Sequence, residues 1–194
     1  MNWKGQSLEN KENRVLLHAC CAICSGYPIT LLHDMGYDVT VYFSNNNFDT
    51  EEEYNRRLEA EKTLCKHFDT ELLVEPYTPQ KYLDYVKGYE DEPEGGARCI
   101  KCFELRLTDT AKKAKELGIN KFTTSMIISP HKNFKNLSMV GEKIAQKYGL
   151  EFLAIDFKKK DGFLKTNKIS KSLNLYRQNY CGCIFAKRQM PMYN

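Results

Sequence analysis

Seven of the eight cysteines in this chain of 194 residues fall into three short groups. Thiolates at such spacings bind zinc or iron–sulfur clusters, or react as thiol–disulfide pairs. Each group alone would be a weak signal, but three groups in one chain predict a site built from cysteine sulfur. The groups are Cys20, Cys21 and Cys24; Cys99 and Cys102; and Cys181 and Cys183.

The number of thiols helps to distinguish the possible metal centres. A single structural zinc would take four of them and leave three unexplained. An iron–sulfur cluster also takes about four thiolates, so seven suffice for a cluster together with a second metal ion or a reactive thiol. Iron is therefore favoured over zinc. The eighth cysteine, Cys65, lies on the apolar stripe of a predicted helix, where a buried structural thiol is expected.

The N-terminal residues "MNWKGQSLENKENR" are polar and lack the apolar stretch of a secretory signal. No run of the chain approaches the roughly 18 apolar residues of a membrane span. These features predict a cytosolic (cytoplasmic) protein without a membrane partner, and cytosolic thiols are kept reduced. Metal or redox chemistry therefore explains the cysteines better than structural disulfides do.

Strands alternate with helices along the chain. Apolar runs and helical periodicity predict strands at 14–19, 39–44, 70–77, 121–127 and 151–157, and helices at 25–36, 50–68, 99–117 and 136–149. Pro28 is compatible only with the first turn of its helix. This order predicts an α/β fold: an open, mostly parallel, Rossmann-like or nucleotide-hydrolase-like sheet with helices on both faces, followed by a basic C-terminal helical segment.

Length and a hydrophobic content of 42% predict one domain over 1–194, with 1–12 flexible and 158–194 completing the metal site. Ligands of open parallel sheets bind outside the C-terminal ends of the strands, and the first cysteine group lies in the first strand-to-helix loop. At Cys99 and Cys102 the start of a predicted helix and Arg98 favour thiolates. Gly182 lets the sulfurs beside it share one side of the backbone.

The charge distribution indicates a partner. Residues 158–188 carry nine lysines or arginines against one acid, a net charge of +8, whereas the whole chain is +4. Such a dense basic segment is typical of a surface that binds phosphates. Four aromatic side chains in it are expected to stack on bases, which predicts binding to nucleic acid. They are Phe163, Tyr176, Tyr180 and Phe185.

Several ordered motifs resemble the epoxyqueuosine reductase QueH family. They are "LLHACCAICS", "EEEYNRRLEAE", "GYEDEPEGGARCIKCFELRL", "FTTSMIISPHKN", "DFKKKDGF" and "LYRQNYCGC", which together span nearly the whole chain beyond the first dozen residues. The resemblance implies a cobalamin-independent reduction of epoxyqueuosine, at the wobble position of tRNAs with a GUN anticodon, to queuosine. It also implies a 4Fe-4S cluster with a second, mononuclear metal ion close by, iron or zinc, and an external electron donor.

The resemblance carries over to individual residues. Six cysteines match the family's metal-binding positions: Cys20, Cys21, Cys99, Cys102, Cys181 and Cys183. Cys24 matches a position where the family has cysteine or another ligand. Ile23 stands where a proline is usual, and "SNNNFD" replaces a loop richer in proline, so the shape of these loops is expected to differ. The mechanism expected is metal-assisted opening of the epoxide, electron transfer from the cluster, and loss of the oxygen as water.

The proton donor is left open by the sequence. His131, Asp156 and Tyr180 are the catalytic candidates, because they are expected near the same edge of the sheet. His18 lies inside a predicted strand, where a core histidine is as well expected as a catalytic one. The residues expected to contact substrate are His131, Lys132, Arg177 and Gln178.

Three other functions fit parts of the sequence. A nucleotide-activating tRNA sulfurtransferase needs a glycine-rich phosphate loop after the first strand, whereas this chain has "ACCAICSG" there. A zinc-stabilised RNA-binding module without catalysis would be colourless and indifferent to oxygen. A thiol–disulfide oxidoreductase would need neither seven grouped cysteines nor the basic segment.

Overall fold

A computed structural model describes residues 13–188, with the side chain of Arg188 excepted. Its centre is a sheet of five parallel strands in the order β3-β2-β1-β4-β5. The strands are β1 (Arg14–Ala19), β2 (Asp38–Phe43), β3 (Glu71–Val74), β4 (Lys121–Thr124) and β5 (Glu151–Phe152). Five of the six residues of β1 are buried, as expected for the middle strand of a sheet covered on both faces. The predicted parallel α/β sheet is therefore confirmed.

Seven helices and one short 3-10 turn connect the strands within the described residues. The helices are α1 (Ala22–Asp34), α2 (Glu51–His67), α3 (Pro79–Tyr85), α4 (Ala97–Glu116), α5 (Phe134–Tyr148), α6 (Gly162–Ser172) and α7 (Ile184–Arg188), and the 3-10 turn is Ser125–Ile128. On one side α1 packs against α2 and α6, and on the other α4 packs against α5. The helices thus cover both faces of the sheet.

The strand order places a crevice between β1 and β4. The chain runs outward from β1 to β3 and then returns past β1 to β4 and β5, through connections between parallel strands, which as a rule are right-handed. The loops that follow β1 and β4 therefore diverge to opposite faces of the sheet. Ligands of open α/β sheets bind at such a switch point, and Cys20 lies there, directly after β1.

The structure corrects several predicted element boundaries. β3 and β4 have four residues each, instead of the eight predicted at 70–77 and the seven predicted at 121–127. α1 begins at Ala22, because the extended backbone of Cys21 serves as its N-cap, and Pro28 therefore lies beyond the first turn. β5 has two residues instead of seven, since beyond Phe152 residues 153–157 make mostly local backbone hydrogen bonds. The tyrosine-rich stretch after β3, where no element was predicted, contains α3. The predicted flexibility of 1–12 lies outside the described residues, as do residues 189–194.

Candidate metal and active site

A cavity of about 550 Å³ opens at the crevice between β1 and β4. Its walls come from the loop after β1, the turn after β4, the residues before α4 and the segment between α6 and α7. The first cysteine group lies in its wall, together with Arg177, Gln178 and Tyr180 of the C-terminal segment. A volume of this size holds one small ligand, such as a nucleoside.

The first cysteine group is compact. The sulfurs of Cys20 and Cys21 are 3.9 Å apart, and those of Cys20, Cys21 and Cys24 all lie within 4.8 Å of one another. The backbone amide of Cys20 donates a hydrogen bond to Oγ of Ser125 at 3.1 Å, which ties this loop to the turn after β4. Three thiols this close form a ligand set that fits one metal ion.

The three thiols change one another's protonation. Hydrogen bonds from Cys21 and Cys24 lower the pKa of Cys20 well below its usual range. The same contacts raise the pKa values of Cys21 and Cys24, and burial raises them further. The group therefore favours one thiolate held by two thiols when no metal is bound.

The other four grouped cysteines surround a second, much smaller cavity of about 20 Å³. They are Cys99, Cys102, Cys181 and Cys183. The backbone amide of Gly95 donates to Sγ of Cys99 at 3.2 Å, and the hydroxyl of Tyr82 donates to Sγ of Cys183 at 3.4 Å. Elements that are far apart in the chain thus bring the C-x-x-C pair and the C-x-C pair together.

Burial outweighs the effect of Arg98, which lowers the pKa of Cys99 as expected, so the net pKa shift at Cys99 and Cys102 is opposite to the one predicted. Burial raises the pKa of Cys99, and it raises that of Cys102 to about 12. The guanidinium of Arg98 is buried and donates to the backbone carbonyls of Glu90 and Glu92 instead. Desolvation therefore outweighs the charge and the helix dipole at these two thiols.

Two cations lie between the cysteine groups. Arg106 and Lys132 line both cavities. Nζ of Lys132 lies 3.4 Å from Sγ of Cys181, and although burial opposes its charge, this sulfur keeps the pKa of Lys132 above its usual value. Arg106 is buried and hydrogen-bonds Asn45 and His18. Glu94 also lines both cavities and pairs with Lys132 at 3.5 Å, so two cations and one acid give the shared wall a net charge of +1.

A buried arginine holds the "CGC" segment in place. Nη1 and Nη2 of Arg57 donate to the carbonyls of Cys181 and Tyr180 at 3.2 and 3.3 Å. Its guanidinium also pairs with Glu53 at 2.6 Å and lies over the ring of Phe48. Gly182 packs against the same ring with a φ of +99°, a backbone conformation that glycine tolerates best.

Arg57 and Arg106 were missed in the sequence analysis, although the sequence contains a signal for each. Arg106 follows Cys102 by four residues, which places it on the same face of α4. Arg57 follows Glu53 by four residues within the buried stripe of α2. A charged residue on the apolar face of a helix indicates a buried polar contact.

His18 is a fully buried core histidine. Its Nδ1 lies 2.8 Å from Oγ1 of Thr124, and its Nε2 lies 3.3 Å from Nε of Arg106. Burial and the charge of Arg106 lower the pKa of His18 to about 3, so the ring is neutral near pH 7. It lines neither cavity.

The three catalytic candidates lie in different surroundings. His131 is exposed and lines the large cavity. Tyr180 also lines it, but its hydroxyl donates to Asp49 at 2.7 Å. Asp156 lines neither cavity and accepts a hydrogen bond from the backbone amide of Lys158 at 3.2 Å, because the chain has already left the sheet. The expectation that Asp156 ends the last strand is therefore wrong.

The predicted substrate contacts also differ in their availability. Arg177 is exposed at the large cavity, and Gln178 lines it with Nε2 2.7 Å from Sγ of Cys21. The ammonium group of Lys132 contacts Cys181 at 3.4 Å and pairs with Glu94 at 3.5 Å, so its charge is already paired within the protein. Of the four aromatic residues expected to stack on bases, three have internal roles: Tyr176 donates to Glu53, Tyr180 donates to Asp49, and Phe185 is buried.

The family model described as "Epoxyqueuosine reductase QueH" matches residues 15–189. The chain belongs to the epoxyqueuosine reductase QueH family. The match includes all seven grouped cysteines and both cavities. The resemblance found from the motifs is therefore confirmed.

Curated relatives named epoxyqueuosine reductase QueH are similar over most of the chain. One from Streptococcus pyogenes serotype M1 is 38% identical over 192 residues, covering 96% of this chain and 74% of the relative. One from Staphylococcus aureus is 35% identical, with coverages of 96% and 80%, and one from Thermotoga maritima is 35% identical, with 89% of each chain covered. None of these names favours the sulfurtransferase or the zinc module. Across residues 13–188, no helix combines the length and the apolar character needed to cross a membrane.

Proposed function

We propose that this chain reduces the epoxide of epoxyqueuosine in tRNA to the alkene of queuosine. The reaction takes two electrons and two protons and releases the oxygen as water. The observation that carries the proposal is the pair of adjacent cysteine groups, separated by a positively charged wall, at the switch point of the sheet. Membership of the QueH family supports the same reaction.

The first cysteine group is suited to a single metal ion. Metal–sulfur bonds of about 2.3 Å in a tetrahedral site place two sulfurs about 3.8 Å apart. The sulfurs of Cys20 and Cys21 are 3.9 Å apart, and Cys24 is within 4.8 Å of both. We assign these three thiols to the mononuclear ion, iron or zinc. Three protein ligands leave a fourth position for substrate, as in catalytic metal sites.

We assign the 4Fe-4S cluster to the second group, whose side chains would have to move apart to hold it, because the cavity between them is only about 20 Å³. The group offers four thiols, the number that such a cluster takes. In the part of the chain that the structure describes, no three of these thiols lie within 4.8 Å of one another, which fits sulfurs bound to separate iron atoms better than sulfurs sharing one ion. The donors from Gly95, Tyr82 and Lys132 suit a sulfur-rich anionic centre, because hydrogen bonds and charge stabilise it.

When bound, the cluster supplies single electrons and the neighbouring ion supplies a Lewis acid for the epoxide oxygen. The residues of the chain bind and orient the nucleoside between them. Arg177 and Gln178 line the cavity where the base and ribose would lie. The imidazole of His131, exposed in the same cavity, is the side chain placed to carry a proton from solvent to the site. Arg106 and Lys132 add positive charge where negative charge develops.

The substrate that fits these features is a tRNA with a GUN anticodon whose modified nucleoside leaves the stack to enter the cavity. Enzymes that act on a base in nucleic acid commonly take it out of the stack in this way. An external protein or small-molecule reductant delivers the electrons, since the reaction consumes two in every turnover.

Metal analysis of protein purified without oxygen tests this proposal. We expect brown protein with iron and acid-labile sulfide that converts epoxyqueuosine in tRNA to queuosine. Cys99→Ser and Cys181→Ser should lose the sulfide and the activity, whereas Cys24→Ser should keep the sulfide and lose the activity. Cys65→Ala is the matched control, because Cys65 is buried in the core of α2 away from both cavities. Colourless protein that holds only zinc after anaerobic reconstitution would refute the proposal.

A further inference from the structure

A basic surface lies beside the large cavity, on the outer side of α6 and the turn before it. Its exposed lysines are Lys159, Lys160, Lys165, Lys168 and Lys171. Within residues 13–188, none of these five has a carboxylate within 4.0 Å. α6 packs against α1, so Lys168 and Lys171 point away from the sheet, one turn apart.

Lysines on other helices differ in this respect. Lys62, Lys101 and Lys113 each pair with a glutamate three residues away, at 2.7 to 3.0 Å. On the α6 surface Asp161 is the one acid in the stretch from 158 to 188. A cluster of cations without such partners attracts a polyanion, and the attraction weakens with salt.

An apolar pair lies within this basic surface. Phe163 is 36% exposed and Leu164 is 55% exposed. Phe163 also lines the large cavity, so the basic surface is continuous with the site that holds the cysteines. An anionic lipid surface would explain the lysines and Leu164, but not an aromatic ring at the mouth of a reaction cavity. An RNA strand explains both, because aromatic rings stack on bases and lysines contact phosphates.

We propose that the α6 surface binds the anticodon arm of the RNA substrate. Phe163 stacks on the base next to the reacting nucleoside, and Lys168 and Lys171 contact phosphates of the same arm. The identity of the RNA rests on the proposed function, but the surface itself requires neither the metals nor the reaction.

Binding of a labelled RNA hairpin with the sequence of a GUN anticodon arm tests the surface, measured by fluorescence anisotropy over a range of salt concentrations. Lys168→Glu with Lys171→Glu should weaken binding at least about tenfold near 0.1 M salt and reduce the slope of log affinity against log salt by about 1 to 2. Phe163→Ala should weaken binding about tenfold without changing that slope, as expected for one lost stacked base.

Lys143→Glu with Lys147→Glu on α5 is the matched control. Both lysines are exposed and one turn apart, on the helix layer opposite to α6, and the change in net charge is the same. We expect less than about threefold weakening from this control. Equal losses of RNA affinity in the two double variants, or an unchanged RNA affinity in Lys168→Glu with Lys171→Glu, would show that the α6 surface does not bind the RNA. The proposal would also fail if Lys168→Glu with Lys171→Glu abolished binding to anionic phosphatidylglycerol vesicles and left RNA binding unchanged.

Failure of the surface and failure of the reaction give different results. If the protein binds the hairpin through α6 but forms no queuosine, the proposed reduction is refuted and RNA binding by α6 stands. If the α6 double variant forms queuosine with an unchanged KM for tRNA, RNA binding by α6 is refuted and the proposed reduction stands.

Discussion

Nε2 of Gln178 lies 2.7 Å from the sulfur of Cys21, a residue 157 positions earlier in the chain. Gln178 lies in the segment that leads to Cys181 and Cys183, so the end of the described chain closes over the loop that follows β1. The segment that carries the second cysteine group therefore also contacts the first group through a side chain.

Replacing Gln178 with Leu should weaken metal binding at the first cysteine group. The substitution removes a hydrogen-bond donor to Cys21, and loss of such a contact next to a ligand costs about 10- to 100-fold in metal affinity. Competition with a chelator measures the affinity. Asn179→Ala is the control in the same segment, because Asn179 is exposed. Equal metal affinity in both variants would show that the contact with Cys21 has no effect on the site.

Replacing Gly182 with Ala should displace the "CGC" segment. A Cβ at Gly182 would come within 2.7 Å of an atom of the Phe48 ring and 3.1 Å of Nη1 of Arg57, on a backbone with φ of +99°. We expect loss of acid-labile sulfide from the purified protein. Gly36→Ala carries similar backbone strain, with φ of +86° and no neighbour within 4 Å, and should retain its sulfide. A Gly182→Ala variant with full sulfide would contradict the packing described here.

Two neighbouring ion pairs on α2 should differ strongly in their effect on stability. Arg57 and Glu53 are 2% and 7% exposed, whereas Arg56 and Glu52 are 57% and 73% exposed. Arg57→Gln leaves a buried carboxylate without its partner and should lower the free energy of unfolding by about 3 to 5 kcal/mol. Arg56→Gln should leave it nearly unchanged, because an exposed ion pair contributes little to stability. Urea denaturation measures both, and similar losses would contradict the burial of the Arg57 pair.

Glu61 makes stability depend on pH. Its side chain is fully buried, and burial raises the pKa of its carboxyl group from 4.5 to about 8, an effect that the nearby hydroxyl of Ser25 only partly opposes. Because the pKa of Glu61 is higher in the folded state than in the unfolded state, its contribution to the free energy of unfolding is fully present below pH 4.5. That contribution is lost as the pH rises through 8.

Glu61→Gln should therefore gain stability relative to the parent protein as the pH rises from 5 to 8, by at most about 1.4 kcal/mol per pH unit. Urea denaturation at several pH values measures the difference. Glu59→Gln is the control, because Glu59 is exposed on the same helix and pairs with Lys62. A difference between the Glu61 variant and the parent that does not change with pH would contradict the raised pKa.

Local signals predicted much of this fold. β1 covers the six residues predicted for it, and the side chain of Thr50 accepts a hydrogen bond from the amide of Glu53 at the start of α2, as its spacing indicates. The short β5 was not predicted, because strand length depends on the neighbouring strand. β4 ends at Thr124, and Ile155 and Phe157 have apolar side chains but no strand to pair with.

The site was predicted in composition but not in arrangement. The sequence indicates seven thiols near one edge of a sheet, whereas their division into three and four depends on α7 and the residues before it packing against α3 and α4. The positive wall between the groups was also missed, because its two cations come from separate elements. Arg106 lies in α4, before β4, and Lys132 lies in the loop that follows β4. Packing between distant elements decides such contacts, and no local pattern records it.

The fate of the epoxide oxygen tests whether this chain catalyses the proposed reduction. Anaerobically purified protein with its cluster intact is reduced and incubated with tRNA that carries epoxyqueuosine, and the digested nucleosides are analysed by mass spectrometry. We predict a product that has lost one oxygen atom, formed only with reductant present, abolished by Cys181→Ser and retained by Cys65→Ala. An unchanged nucleoside, obtained with intact cluster and with tRNA bound, would show that the chain does not carry out this reduction.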